Sequence, residues 1–272
     1  MATDLSKLSG ALPWQAELPP RRVILLAASN LVRGLPIVVE SARRSWLGPL
    51  DILAAIGHGR SYGMESRVLG RALPGILQCG LWEALAARPP APTAALLTDI
   101  GNDILYGASA AQIARWVETC LARLRPVSER LIVTQLPLAS IAKLGTIRFT
   151  IVRTILFPQS RLQLAAAVSI ARELNDRVVE LADRYSASVA EPDPQWYGLD
   201  PIHIRRRLQP AAWKNILSGW SQKSFSGLAQ RSLLQTWKLR LLRPQTRRLF
   251  GIEQRLAQPC GKLNDGSLLS LY

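Results

Sequence analysis

The sequence predicts an α/β fold in three layers, with helices covering both faces of a parallel sheet of about five strands. Three observations predict it. Short apolar runs alternate with longer stretches of helical period, the signature of repeated βαβ units. Most of the runs are bounded by Gly, Pro, Asn, Asp or Ser, as strands buried on both faces tend to be. The chain has 272 residues and is 48% hydrophobic, enough to bury a substantial core in one larger domain.

Residues 1–20 read as a loose leader ending in Pro19-Pro20. The first predicted strand is Arg22–Ala28, and the first turn of a helix follows at Ser29. Asp51–Ile56, Ala94–Ile100 and Arg130–Leu136 are the next three strands, and Ser186–Ala190 is a short fifth. Between them, Ala110–Leu124 sets Ile113, Trp116, Val117, Cys120 and Leu124 at helical spacing. Arg161–Tyr185 and Pro210–Trp220 are further amphipathic patterns. Ile141–Leu164 is apolar with Arg148, Arg153 and Arg161 set into it, which fits an amphipathic surface element or an extra helix beside a site. No internal repeat or low-complexity segment is present.

The formal net charge of +15 is unevenly placed: the residues from Arg205 onward carry a net +11, and those before it only +4. A domain at 21–221 with a basic C-terminal extension at 222–272 is therefore expected. In that extension Trp237, Leu239, Leu241 and Leu242 stand among Lys238, Arg240 and Arg243. This suits contact with an anionic membrane or nucleic acid, and equally a solvated face. The three cysteines, Cys79, Cys120 and Cys260, form no disulfide or metal-ligand pattern. With no secretory leader pattern and no long apolar span, a reduced cytoplasmic setting is expected.

Histidine chemistry has two candidates, His58 and His203. His203 lies in Leu199-Asp200-Pro201-Ile202-His203, where a turn can set the Asp200 carboxylate beside the imidazole and fix its tautomer. The same residues also suit a helix start capped by Asp200, with Pro201 as its first residue. Ser29, between a strand and a helix, suits an N-cap and also a nucleophile at a strand end. Asn102 follows the third strand in Gly101-Asn102-Asp103, which suits a turn or an amide aimed at an oxyanion. Gly59 follows the second strand, where a backbone N–H can approach a substrate closely. The glycines around it do not have phosphate-loop spacing. Gly59-Arg60-Ser61-Tyr62-Gly63 offers Ser61 as a rival nucleophile on a Gly-x-Ser-x-Gly elbow, although that elbow normally follows several strands. Ser140-x-x-Lys143 lacks the motifs that accompany such spacing in penicillin-recognising enzymes.

In chain order these are strand-Ser29, strand-Gly59, strand-Gly101-Asn102-Asp103, and a late Asp200-x-x-His203. From about Arg22 to Trp220 this order resembles the SGNH hydrolases, also called GDSL esterases/lipases. The resemblance implies a flavodoxin-like sheet, and Ser29, Asp200 and His203 as a catalytic triad. It implies an oxyanion hole from the Ser29 and Gly59 N–H groups and the Asn102 side chain. The reaction implied is hydrolysis of a small-molecule carboxylic ester through an acyl-enzyme on Ser29, with no metal or cofactor. Ser29 is expected to cap its helix as well, and Ile147–Phe157 to line an apolar acyl site. Two motifs depart from the family pattern. The Gly-Asp-Ser block reads Ala27-Ala28-Ser29 followed by Asn30, and Gly-x-Asn-Asp reads Ile100-Gly101-Asn102-Asp103. Gly59 is chosen over Gly57 and Gly63 by spacing. A non-catalytic binding module of the same fold is the alternative.

Overall fold

The computed structural model describes residues 20–46, 48–143, 145–146, 149–150, 153–154, 161–220 and 233–272. In chain order its strands are β1 (Arg21–Leu26), β2 (Leu50–Ala55), β3 (Ser66–Val68), β4 (Arg71–Leu73), β5 (Thr93–Leu97), β6 (Arg130–Thr134), β7 (Ser188–Ala190), β8 (Thr246–Leu249), β9 (Ile252–Arg255), β10 (Gly261–Lys262) and β11 (Leu268–Leu271). The helices are α1 (Ser29–Trp46), α2 (Leu81–Ala86), α3 (Asn102–Leu105), α4 (Ala110–Leu124), α5 (Leu138–Ile141), α6 (Leu164–Arg184), α7 (Gln209–Ile216) and α8 (Leu233–Leu241).

The five predicted strands are β1, β2, β5, β6 and β7, paired in parallel in the order β2-β1-β5-β6-β7. Four of them end before the sequence reading ended them. Ala27, Ala28, Ile100 and Leu136 are buried in the turns beyond the strands, so the apolar pattern outlasts the pairing.

The central sheet has seven strands, not five. β11 adds in parallel to β2 with Leu269 opposite Ile52, and β10 pairs antiparallel to β11. Part of the stretch expected as a basic extension thus lies inside the fold, where Leu269 and Leu271 are buried. The counted charge concealed this, because charge speaks to partners and solubility rather than to pairing. A separate antiparallel sheet of order β3-β4-β8-β9 joins the middle of the chain to its C-terminal part.

Alternate side chains of β1 feed two cores. Val23 and Leu25 pack with α1 and α7, while Ile24 and Leu26 pack with α4 and α6. Helix α1 lies so close to α7 that a Cβ on Gly34 would fall 2.0 Å from the buried Trp213 indole nitrogen. At the N-terminal side of the sheet, the buried Asp51 carboxylate accepts from Arg22 Nε at 2.9 Å and Arg88 Nε at 2.8 Å.

From β1 the chain moves to β2 on one side, then returns to β5 on the other. The strand order reverses there, and open α/β sheets bind ligands at the C-terminal ends of the strands flanking such a point. The buried Tyr62 hydroxyl bridges those ends, 3.1 Å from the Leu26 carbonyl and 2.9 Å from that of Thr98. No helix among the described residues is long and apolar enough to cross a membrane.

Candidate active site

Ser29 is the first residue of α1, at the reversal point just after β1. Its Oγ lies 2.8 Å from His203 Nε2, and His203 Nδ1 lies 2.6 Å from Asp200 Oδ2. Residues 199–203 form bends rather than a helix start, so Asp200 is free to face the imidazole. A carboxylate at Nδ1 favours the tautomer with its proton there, which leaves Nε2 to accept from the serine. Burial alone would raise the Asp200 pKa. The His203 hydrogen bond and charge, the Ile202 N–H and Arg33 outweigh it and hold the carboxyl below its ordinary value.

Ser29 does not cap the helix. The capping carboxylate belongs to Asp99, just after β5, which accepts from the Ala28 N–H at 3.0 Å and the Asn30 N–H at 2.9 Å. A carboxylate suits a helix N-terminus through both hydrogen bonds and the dipole. Ser29 is passed over: its Oγ serves His203, and no described residue accepts from its N–H. Burial raises the Asp99 pKa, opposed by the Asn30 amide and the charge of His203.

Asn102 starts α3 and lines the same cavity as Ser29. Its Nδ2 is 3.4 Å from the Arg60 carbonyl. Gly59 has a left-handed backbone (φ +64°), and its carbonyl accepts from the Tyr106 hydroxyl at 2.8 Å. Gly59 is not among the residues lining the cavity. The two other candidate glycines are packed: a Cβ on Gly57 would lie 2.4 Å from Leu73, and one on Gly63 2.0 Å from Trp116.

The cavity measures about 120 Å³ and is mostly apolar, with Leu105, Leu136, Phe149 and Arg153 in its wall. Of the stretch Ile147–Phe157, Phe149 and Arg153 line this cavity. Ile147, Arg148, Ile151, Val152 and residues 155–157 lie outside the described residues. Arg153 Nη1 donates to the Leu162 carbonyl at 2.8 Å.

No family model matches the sequence, and no curated protein matches it. Solved structures do. TesA is 12% identical, covering 73% of this chain and 97% of its own, with a TM-score of 0.47. A member of the lipolytic protein G-D-S-L family from Veillonella parvula is 12% identical over 73% of this chain and 97% of its own, with a TM-score of 0.46. AlinE4, an SGNH-hydrolase family esterase, is 17% identical over 82% and 92%, with a TM-score of 0.41.

The rival serine is not available for attack. Ser61 is fully buried; its hydroxyl donates to Asp103, and its Oγ accepts from the Gly63 and Met64 N–H groups. Asp103 also accepts from the Tyr62 N–H at 2.9 Å, and burial lifts its pKa to about 6. This pair ties the Gly57–Met64 loop to α3 and thereby places Asn102 beside it. His58 is close enough to His203 for their charges to interact. Desolvation, then Arg71, Arg33 and His203, push its pKa down to about 4.

Sequence reasoning missed Asn30 and Asp99. Asn30 Nδ2 donates to Asp99 Oδ1 at 2.8 Å and to the Ile202 carbonyl at 2.7 Å, and Asn30 Oδ1 accepts from the Ile204 N–H at 2.9 Å. It therefore grips the backbone on both sides of His203. Asn30 had registered only as a departure in the first block. No group of three or more His, Cys, Asp or Glu among the described residues is placed to hold a metal ion.

Proposed function

We propose that this chain is a serine hydrolase that cleaves carboxylic esters through an acyl-enzyme on Ser29. The observation that carries the reading is the continuous Asp200–His203–Ser29 hydrogen-bond chain at the reversal point of the sheet. His203 Nε2 takes the proton from Ser29 Oγ as that oxygen bonds to the ester carbonyl carbon. The carbonyl π electrons move to oxygen, and the Ser29 N–H, the Gly59 N–H and the Asn102 amide receive the oxyanion. The tetrahedral intermediate collapses, the bond to the alcohol oxygen breaks, and the imidazolium protonates the leaving alcohol. Water then attacks the acyl-enzyme by the same route, releasing the acid and restoring Ser29. Asp200 holds the imidazole and stabilises its charged form. Each oxyanion donor contributes on the order of 100-fold in rate.

The apolar wall containing Leu105, Leu136 and Phe149 suits the acyl chain. A series of p-nitrophenyl esters of graded acyl length tests the reading. Hydrolysis is expected, falling by about 1000-fold or more in Ser29→Ala and in His203→Ala. Absence of hydrolysis across the series, or hydrolysis unchanged in Ser29→Ala, would overturn it.

A further inference from the structure

The four-stranded sheet ends in two tight turns that break a rule of hairpin chemistry. β3 and β4 close on the pair Val68–Arg71, leaving Leu69 and Gly70 at the tip, both with positive φ (+49° and +76°). β8 and β9 close on Leu249–Ile252, leaving Phe250 and Gly251, again both positive (+47° and +84°). Two-residue turns of this kind favour Asn, Asp or Gly at the first position, because a bulky side chain is strained there. Here that position holds leucine and phenylalanine. Neither is compensated by burial: Leu69 is 82% exposed, Phe250 79% and the adjoining Ile252 69%.

The two tips lie side by side. The Phe250 N–H donates to the Gly70 carbonyl at 2.7 Å, and a Cβ on Gly70 would come within 2.5 Å of the Phe250 ring. Behind them, the strands and their flanks at 65–73 and 246–256 carry five arginines (Arg67, Arg71, Arg247, Arg248 and Arg255) against Glu65 and Glu253. Glu65 is engaged by Arg67 and Arg248, and Glu253 by Arg255.

We infer that the paired Leu69 and Phe250 tips, backed by this arginine-rich sheet, dock the protein on an anionic lipid surface. Apolar side chains protruding on short turns can insert among acyl chains while the strands behind them stay at the headgroups. Anionic headgroups match the cationic strands behind the tips. This inference stands independently of the esterase reading, since its readout is binding and not hydrolysis.

Co-sedimentation of the full chain with phosphatidylcholine vesicles, with and without phosphatidylglycerol, tests it. The expected result is sedimentation with the anionic vesicles at about 0.1 M salt. The double variant Leu69→Asn, Phe250→Asn keeps every charge and places the favoured residue in each turn. It is expected to melt no lower than the wild type and to lose on the order of tenfold or more in vesicle affinity. A second measurement needs no variant. Raised salt screens the arginines but not apolar insertion, so part of the binding is expected to persist. A wild type that stays in the supernatant, a variant that sediments equally well, or binding wholly abolished by salt, as for a charge-only contact such as nucleic acid, would each overturn the inference.

Discussion

Replacing Asn30 by alanine removes three hydrogen bonds at once and leaves Ser29, His203 and Asp200 chemically intact. Two of the lost bonds are donated, to Asp99 Oδ1 and the Ile202 carbonyl, and one is accepted, from the Ile204 N–H. Each is worth about 0.5–1.5 kcal/mol net, and a buried N–H left unpaired costs about 1–3 kcal/mol. Ile204 is only 4% exposed, so water cannot readily replace the lost acceptor. A loss of about 2–4 kcal/mol in urea denaturation is expected. Ile202 and Ile204 flank His203, so the imidazole loses its alignment as well. A fall in kcat on the order of 10- to 100-fold is expected, with a smaller change in KM. Asn30→Asp sharpens the test. It sets a second carboxylate against Asp99, so at neutral pH it is expected to be less stable than Asn30→Ala. It should regain stability as pH falls and one of the two carboxyls takes up a proton. An Asn30→Ala protein within 0.5 kcal/mol of the wild type and equally active would refute this reasoning; that margin is about what independent surface changes produce.

Three further outcomes are expected. Gly34→Ala drives a methyl into the buried Trp213 indole and should cost on the order of 1–3 kcal/mol in chemical denaturation; unchanged stability would contradict the close α1–α7 packing. His58 should titrate by NMR near 4, and His58→Gln should remove that signal. Because the unfolded chain takes up this proton at a higher pH than the folded one, His58 costs stability as pH falls from about 6.5 toward 4; in His58→Gln that part of the dependence should flatten. Asp200→Asn should lower kcat by about 100- to 10,000-fold. The lower end is expected, because the Asp200 side chain is 51% exposed and water can partly replace it.

The parts of the fold that were legible in the sequence are those with a period. Ala110–Leu124 matches α4 residue for residue, because one apolar stripe and Ser109 as N-cap define it locally. The five central strands were legible as apolar runs, but their ends were not, since Ala27, Ala28 and Ile100 are buried although they lie beyond the strands. β11 was hidden because its four residues follow a long basic stretch and acquire meaning only opposite β2. The hairpins β3–β4 and β8–β9 were hidden by turns with leucine and phenylalanine where Asn or Gly is the usual signal. At the candidate site, Asp200 and His203 were legible because only two residues separate them in one turn. Asp99 was not, because its role depends on β5 lying beside β1, which brings it to residues 69 positions or more away in sequence.

The most direct test of the central claim is to treat the folded protein with a fluorophosphonate probe and map the modified residue by mass spectrometry. The expected result is a single adduct on Ser29, absent in Ser29→Ala and strongly slowed in His203→Ala. An adduct on Ser61, or a folded protein that takes up no probe at all, would contradict the claim.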